Sequence, residues 1–371
     1  MEAQHALPAA AFALGAFAGR VAANYNPALS LRTNVVGILL NSAALIPVEP
    51  INSEDEAKKA IVAARKRWNG VLPACKRLGM MPRGGTFKWA SCTARDGAEV
   101  RVMLCRATEA PPKRKLPVIC LIHGGGFAFG TIEAYQPMAL HLAKEVGAVV
   151  ALVEYRLAPE HRFPVPLHDT EDAVSWVWSN PAVLNEFGAD PREAGIALLG
   201  DSAGGNLAAV VAVKLKHKIP FALQALAYPV TTLAGSDSYT SSSVRLSDAF
   251  VLPERALTLC KCLYLSDVVK ESRNPYASPL LFSHADLGGT APALVITGSA
   301  DPLWTEGQKY FEKLSQAGVP AEHVHFKGEI HGFLSVNLTA HYHAGMRALV
   351  QSLRLAFRAE ERAWRKLDQL A

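Results

Sequence analysis

The feature that most constrains this chain is a recurring pair, a short and nearly continuous apolar run followed by a stretch with helical spacing. "LPVICLIH" (116–123) precedes a helical stretch over 136–146, and "AVVALVEYR" (148–156) precedes one over 169–179. "AGIALLG" (194–200) leads into 203–217, which is followed by "FALQALAYP" (221–229). After an interruption, "APALVITG" (291–298) leads into 304–317, and "AEHVHFK" (321–327) into a final helix over 339–360. Strands without polar alternation are buried on both faces. Repeated strand–helix–strand units lay such strands side by side and parallel. The prediction is an α/β fold with a mostly parallel, doubly wound sheet and helices on both faces. Two shorter strands, "TFKWASC" (86–92) and "AEVRVMLCR" (98–106), are joined by an "RDG" turn and come first.

Four segments follow from this pattern: a helical region over 1–84, a first part of the core over 85–231, an insertion over 232–288 and a second part of the core over 289–371. Ser53 and Glu56 form a capping-box signature for a helix in the first segment. The insertion combines a polar loop, a short amphipathic helix over 252–267 and the irregular "NPYASPLL". A sheet has no need of it, and long excursions at the carboxyl edge of strands cover or line sites.

Composition narrows the function. With 371 residues, half of them hydrophobic and 19% charged, the chain buries a sizeable core and is not disordered. The formal charge of +5 is spread over short clusters such as "KRK" (113–115) and "RKR" (65–67), which argues against a nucleic-acid partner. Six cysteines show no metal-ligand spacing, so no metal is expected, and reduced thiols point to the cytoplasm. "ALPAAAFALGAFAG" (6–19) lacks a basic lead-in and stops at Arg20, short of a bilayer span; "VVGILLNSAALIPV" (35–48) is broken by Asn41 and Ser42. Helices packed on the body or lying at a membrane surface fit both runs, which leaves peripheral membrane contact open, as oligomeric state is.

The chemistry is concentrated where strands end. Gly200-Asp201-Ser202-Ala203-Gly204 falls between a buried strand and a helix and matches Gly-x-Ser-x-Gly. So tight a turn exposes the serine hydroxyl, and the flanking glycines remove side chains that would collide with it. A serine needs a base and an orienter. His331 follows the last strand in "KGEIHGF" and Asp301 follows "VITGSA", giving the chain order Ser, Asp, His. Glu329 and Asp286 compete with Asp301 as orienter, the latter placed near the same edge. His323 and His325 alternate along a strand and read as structural. "IHGGGFAFG" (122–130) sets three glycines directly after a buried strand, where bare backbone amides can face one oxygen. Gly125 and Gly126, with the amide of Ala203, are the expected oxyanion donors. Gly124 supports the motif, and His123 reads as a structural hydrogen-bonder.

Together "HGGGFAFG", "VEYRLAPEHRFPVPLHD" (153–169), "GDSAGGNLA" (200–208), "NPYASPLL" (274–281), "TGSADPL" (297–303) and "HGF" (331–333) resemble the hormone-sensitive-lipase-like branch of the α/β-hydrolases over roughly 85–355. The resemblance implies hydrolysis of small-molecule carboxylic esters without a cofactor, with Ser202, Asp301 and His331 as the triad. It also implies a helical cap built from the N-terminal helices and the 232–288 insertion. Trp304 stands where family members often carry arginine, and the N-terminal segment is longer and more apolar than in many bacterial members. Tyr155, Arg156 and Glu160 in "YRLAPEH" read as a loop whose buried charges pair and brace the glycine turn. Phe127, Phe129, Phe250 and Trp304 are candidate pocket walls. Two alternatives stay open: a receptor-like binding protein on the same fold, and an amidase or peptidase using the same triad.

Overall fold

The computed structural model describes residues 84–107, 114–235, 252–335 and 339–368, together with Glu56, Lys59, Ile61, Val62, Ala63 and Arg65. The apolar runs at 6–19 and 35–48, the Ser53 cap, Cys75 and Phe250 lie outside the described residues.

Eight strands form one sheet: β1 (Thr86–Thr93), β2 (Glu99–Arg106), β3 (Val118–Ile122), β4 (Val149–Glu154), β5 (Ile196–Asp201), β6 (Phe221–Ala227), β7 (Ala293–Ala300) and β8 (Ala321–Ile330). Their order is β1-β2-β4-β3-β5-β6-β7-β8. The β1–β2 hairpin and its junction with β4 are antiparallel, and every other pairing is parallel. The principal helices are α1 (Gln136–Leu142), α2 (Val165–Ser179), α3 (Ala203–Leu215), α4 (Glu254–Tyr264), α5 (Trp304–Gln316) and α6 (Tyr342–Asp368).

The continuous apolar runs now have a cause. Successive side chains of a strand point to opposite faces, and here each face has its own core. Val118, Cys120 and Ile122 of β3, with Val149, Ala151 and Val153 of β4, meet α2, α3 and α5. Ile119, Leu121, Val150 and Leu152 meet α1 and α6. A side chain of this size contributes about 1.5–3 kcal/mol when fully buried, so a polar residue on either face would be costly.

Boundaries differ from expectation in three informative places. Helix α2 begins at Val165 rather than 169, because Pro166 sits in its first turn, where no backbone N–H is required. Strand β8 extends to Ile330 and so delivers His331 directly to the sheet edge. Helix α6 runs on to Asp368.

Parallel strands end on one side. The residues after β3, β5, β6, β7 and β8 are His123, Ser202, Tyr228, Asp301 and His331, and all arrive at the same carboxyl edge. Among the described residues no helix is long and apolar enough to cross a membrane. Cys92, Cys105, Cys120, Cys260 and Cys262 are all free thiols.

Candidate active site

Helix α3 starts one residue after Ser202, whose backbone is held at φ +53° and ψ −119°. Serine is strained there, and such strain persists only where surroundings dictate it. They do: Ser202 N–H donates to Ala227 O at 2.9 Å, and Ser202 O accepts from Asn206 N at 3.1 Å and Val230 N at 3.1 Å. A side chain at Gly200 would run into the carbonyl of Gly204, and one at Gly204 into the carbonyl of Ile122. Helix and strand therefore approach at backbone distance, which only glycine permits. The non-glycine residues with positive φ among those described are Phe127, Ser202 and Tyr228, and each directly follows or lies near a carboxyl strand end.

The three residues predicted from chain order meet. His331 Nε2 lies 2.9 Å from Ser202 Oγ, and His331 Nδ1 lies 2.9 Å from Asp301 Oδ2. A carboxylate only accepts hydrogen bonds, so the imidazole proton sits on Nδ1 and the bare Nε2 faces the serine hydroxyl. Asp301 is fully buried, and its other oxygen accepts from Leu303 N at 2.8 Å. The Tyr228 ring stands edge-on to His331 at 5.0 Å.

The glycine loop lies alongside. Gly124 N–H donates to Asp201 Oδ1 at 2.8 Å and to Tyr135 Oη at 3.0 Å, and Tyr135 Oη donates to Asp201 Oδ2 at 3.0 Å. Burial pushes the Asp201 carboxyl up to about 6, against the lowering pull of its Tyr135 and Gly124 donors. Gly125, at φ +120°, accepts through its carbonyl from Ala128 N and Phe129 N at 3.1 and 2.8 Å. Among the described residues the amides of Gly125, Gly126 and Ala203 donate to no protein acceptor. Ala203 is buried and Gly125 and Gly126 are half-buried, and amides left without partners there suit a developing negative charge. His123 is held as a structural group: Nδ1–H donates to Gly124 O at 2.8 Å, the ring stacks on Tyr155 at 4.3 Å, and burial lowers its pKa to about 4.

The competing residues are engaged elsewhere. Glu329 accepts from His341 N at 2.7 Å and faces His341 Nδ1 at 2.9 Å. Asp286 helps cap a short helix by accepting from Ser283 N at 3.0 Å; it lies before β7 begins, at the opposite sheet edge, which corrects its placement near the site. His323 and His325 share the Thr297 hydroxyl at 2.8 Å each. In the 155–161 loop, Tyr155 Oη donates to His123 O at 2.8 Å, and Arg156 pairs with the buried Asp169 at 2.6 Å. Glu160 is half exposed, so the expectation of buried pairing holds for Arg156–Asp169 alone.

Of the candidate walls, the three among the described residues each pack against other side chains. Phe127 stacks on Tyr264 of α4 at 3.8 Å, and Phe129 packs with Ile61, Ala128 and Leu263. Trp304 lies 5.3 Å from the His325 ring. Two residues at the site had no local signature in the sequence, Tyr135 and Tyr228. A third, Glu306, is buried behind Asp301; burial pushes its carboxyl up to about 8 while Thr231 N donates to it at 2.6 Å. A cleft of about 740 Å³ lined by Arg114, Lys115, Pro117, Gly147 and Phe357 opens at the opposite, amino-terminal edge of the sheet. None of the site residues reaches it.

This geometry defines a class, and the comparisons agree with it. A family model described as alpha/beta hydrolase fold matches residues 119–335, and the chain belongs to that family. The "Carboxylesterase NlhH" of Mycobacterium tuberculosis is 36% identical over 233 residues, 62% of this chain and 70% of that protein. The "Ethyl acetate hydrolase" of Pseudomonas putida is 33% identical over 247 residues, 66% of this chain and 74% of that one. Among solved structures, a hyperthermophilic esterase from Pyrobaculum calidifontis superimposes with a TM-score of 0.76 at 31% identity, covering 89% of this chain and 99% of that one. The chain is thus a serine hydrolase of the carboxylic ester type, similar to the hormone-sensitive-lipase-like esterases.

Proposed function

We propose that this ester hydrolase works through a Ser202–His331–Asp301 triad and an acyl-enzyme, on esters with small to medium acyl groups. The observation that carries the reading is the unbroken row of hydrogen bonds from Ser202 Oγ through both imidazole nitrogens to Asp301, at 2.9 Å each. His331 takes the serine proton as Oγ attacks the ester carbonyl. The tetrahedral oxyanion is held by the amides of Gly125, Gly126 and Ala203. His331 then protonates the departing alcohol, and water repeats the sequence to release the acid. Asp301 stays ionised, fixing the imidazole and balancing its transient charge.

Short acyl chains are supported by the likeness to a protein named for ethyl acetate. In this reading 1–84 and 232–288 form the cap over a core of 85–231 and 289–371. The free thiols of the described cysteines support a cytoplasmic location.

The test is hydrolysis of p-nitrophenyl esters from acetate to laurate by the wild type and Ser202→Ala. Turnover that peaks at short chains and vanishes in the variant supports the proposal, and equal turnover by both ends it. Labelling of Ser202 by a fluorophosphonate separates an enzyme from a receptor-like protein on the same fold. Comparison of an ester with the matching anilide separates esterase from amidase.

A further inference from the structure

We infer that Arg65, from the helical stretch before the sheet, is a positioning residue that holds the oxyanion loop in its working shape. The inference rests on the assignment of Gly125 and Gly126 as oxyanion donors. Arg65 Nε donates to Ala128 O at 2.7 Å, and Nη2 donates to Ala158 O. The same guanidinium meets Glu160 through both carboxylate oxygens, at 2.8 and 3.0 Å. One planar group thus ties the glycine loop to the 155–161 loop. Ala158 N–H closes the ring by donating to Phe127 O at 2.9 Å.

The loop needs such a tie at this end. Its start is fixed from within the core, by Asp201 and Tyr135 on Gly124 and by Tyr155 on the His123 carbonyl. Beyond Gly125 the chain passes through Phe127 at φ +62°, a conformation unfavourable for phenylalanine. Ala128 is the lever, since its N–H donates to Gly125 O and its own carbonyl is gripped by Arg65. Four residues before Arg65, and so on the same helix face, Ile61 is fully buried against Ala128, Phe129 and Leu263. The cap helix α4 presses on the same loop, Cys260 against Gly126 and Tyr264 stacked on Phe127.

The exposed Glu160 carboxylate makes the ion pair itself a weak contributor. The bonds to the two carbonyls are what matter, and they need the fork of a guanidinium; an ammonium is a single point of donation. Because an oxyanion exists only beyond the ground state, loosening its donors lowers kcat and leaves KM nearly alone.

The experiment uses the full chain, with p-nitrophenyl acetate as substrate and a trifluoromethyl ketone as the probe of the tetrahedral adduct. Arg65→Met is expected to lower kcat by about tenfold or more with KM within about twofold, and to weaken the ketone by the same factor as kcat. Arg65→Lys falls between, and Glu160→Gln stays within about twofold because the carbonyl bonds remain. Arg65→Lys or Arg65→Met turning over at the wild-type rate, with Ser202→Ala inactive, overturns the inference and leaves the esterase reading intact. So does a fall in kcat without weaker ketone binding. If Arg65→Met does not fold, Arg65→Lys alone carries the comparison, since it keeps the charge and most of the packing. A wild type inactive on every ester would instead remove the reading beneath.

Discussion

Two loops meet at the Ser202 hydroxyl, and they are built in opposite ways. The 200–205 turn is held by its own chain and the strands beside it: backbone bonds fix Ser202, and bare glycines let α3 close on β3. The 124–130 loop is held by borrowed side chains, Asp201, Tyr135, Tyr155 and Arg65, none closer in sequence than the five residues from Gly130 to Tyr135. The difference teaches where precision comes from. A residue on a strand-to-helix turn inherits the rigidity of the sheet, whereas the amides proposed as oxyanion donors lie on a loop that needs external bracing. Changes to Ser202 or the glycines of the first loop should break the fold or abolish the reaction, and changes to the side chains that brace the second, Asp201 among them, should slow it.

Ser202→Ala and His331→Ala are the hardest blows, each expected to cut kcat by at least about 10⁴-fold. Steady-state turnover of p-nitrophenyl acetate by protein with a wild-type circular dichroism spectrum measures this. Gly204→Ala attacks the same loop through its backbone and should cost about 3 kcal/mol or more of folding free energy, because the added methyl meets the Ile122 carbonyl. A urea melt of Gly204→Ala that matches the wild type would show that the turn is less tightly determined than argued.

The second loop should respond more gently. Asp201→Asn keeps an acceptor for Gly124 N–H but loses the paired carboxylate, and kcat should fall by roughly tenfold. Its stability profile gives a separate check. The Asp201 carboxyl titrates near 6 in the fold against an ordinary 3.8, because it is buried. Between those values the folded state keeps a proton that the unfolded chain has released, so wild-type stability falls as pH rises from about 4 to 6. The asparagine variant should lack that slope in denaturant melts, and an unchanged slope would assign it to another group.

Glu306→Gln should have the smallest effect on turnover. Its carboxyl is raised by burial to about 8 from 4.5, so the wild type loses stability as pH rises through that window. The glutamine amide oxygen can still accept from Thr231 N, and the variant should be the more stable protein at pH 9 in thermal melts.

The legibility of this site divides along the same line. Ser202, Asp301 and His331 each stand immediately after a strand, and a parallel sheet brings such positions to one edge whatever the loops do. Their meeting could be expected from residue type and chain order. Rivals of similar type could not be dismissed that way. Glu329 lies two residues from His331 in sequence, yet it turns toward His341. Asp286 lies beyond the far end of β7, which no spacing rule announces.

Periodicity and residue chemistry were enough to determine a parallel sheet buried on both faces, a strained serine turn and the order of its partners. Those are consequences of local pattern, since burial on two faces and backbone crowding act over a few residues. Tertiary structure alone decided that Asp201 clamps Gly124, that Tyr135 joins it, and that Arg65 reaches Ala128 across sixty-three positions of chain. Hydrogen bonds demand tenths of an ångström between groups from distant segments, and a one-dimensional pattern carries no such distances.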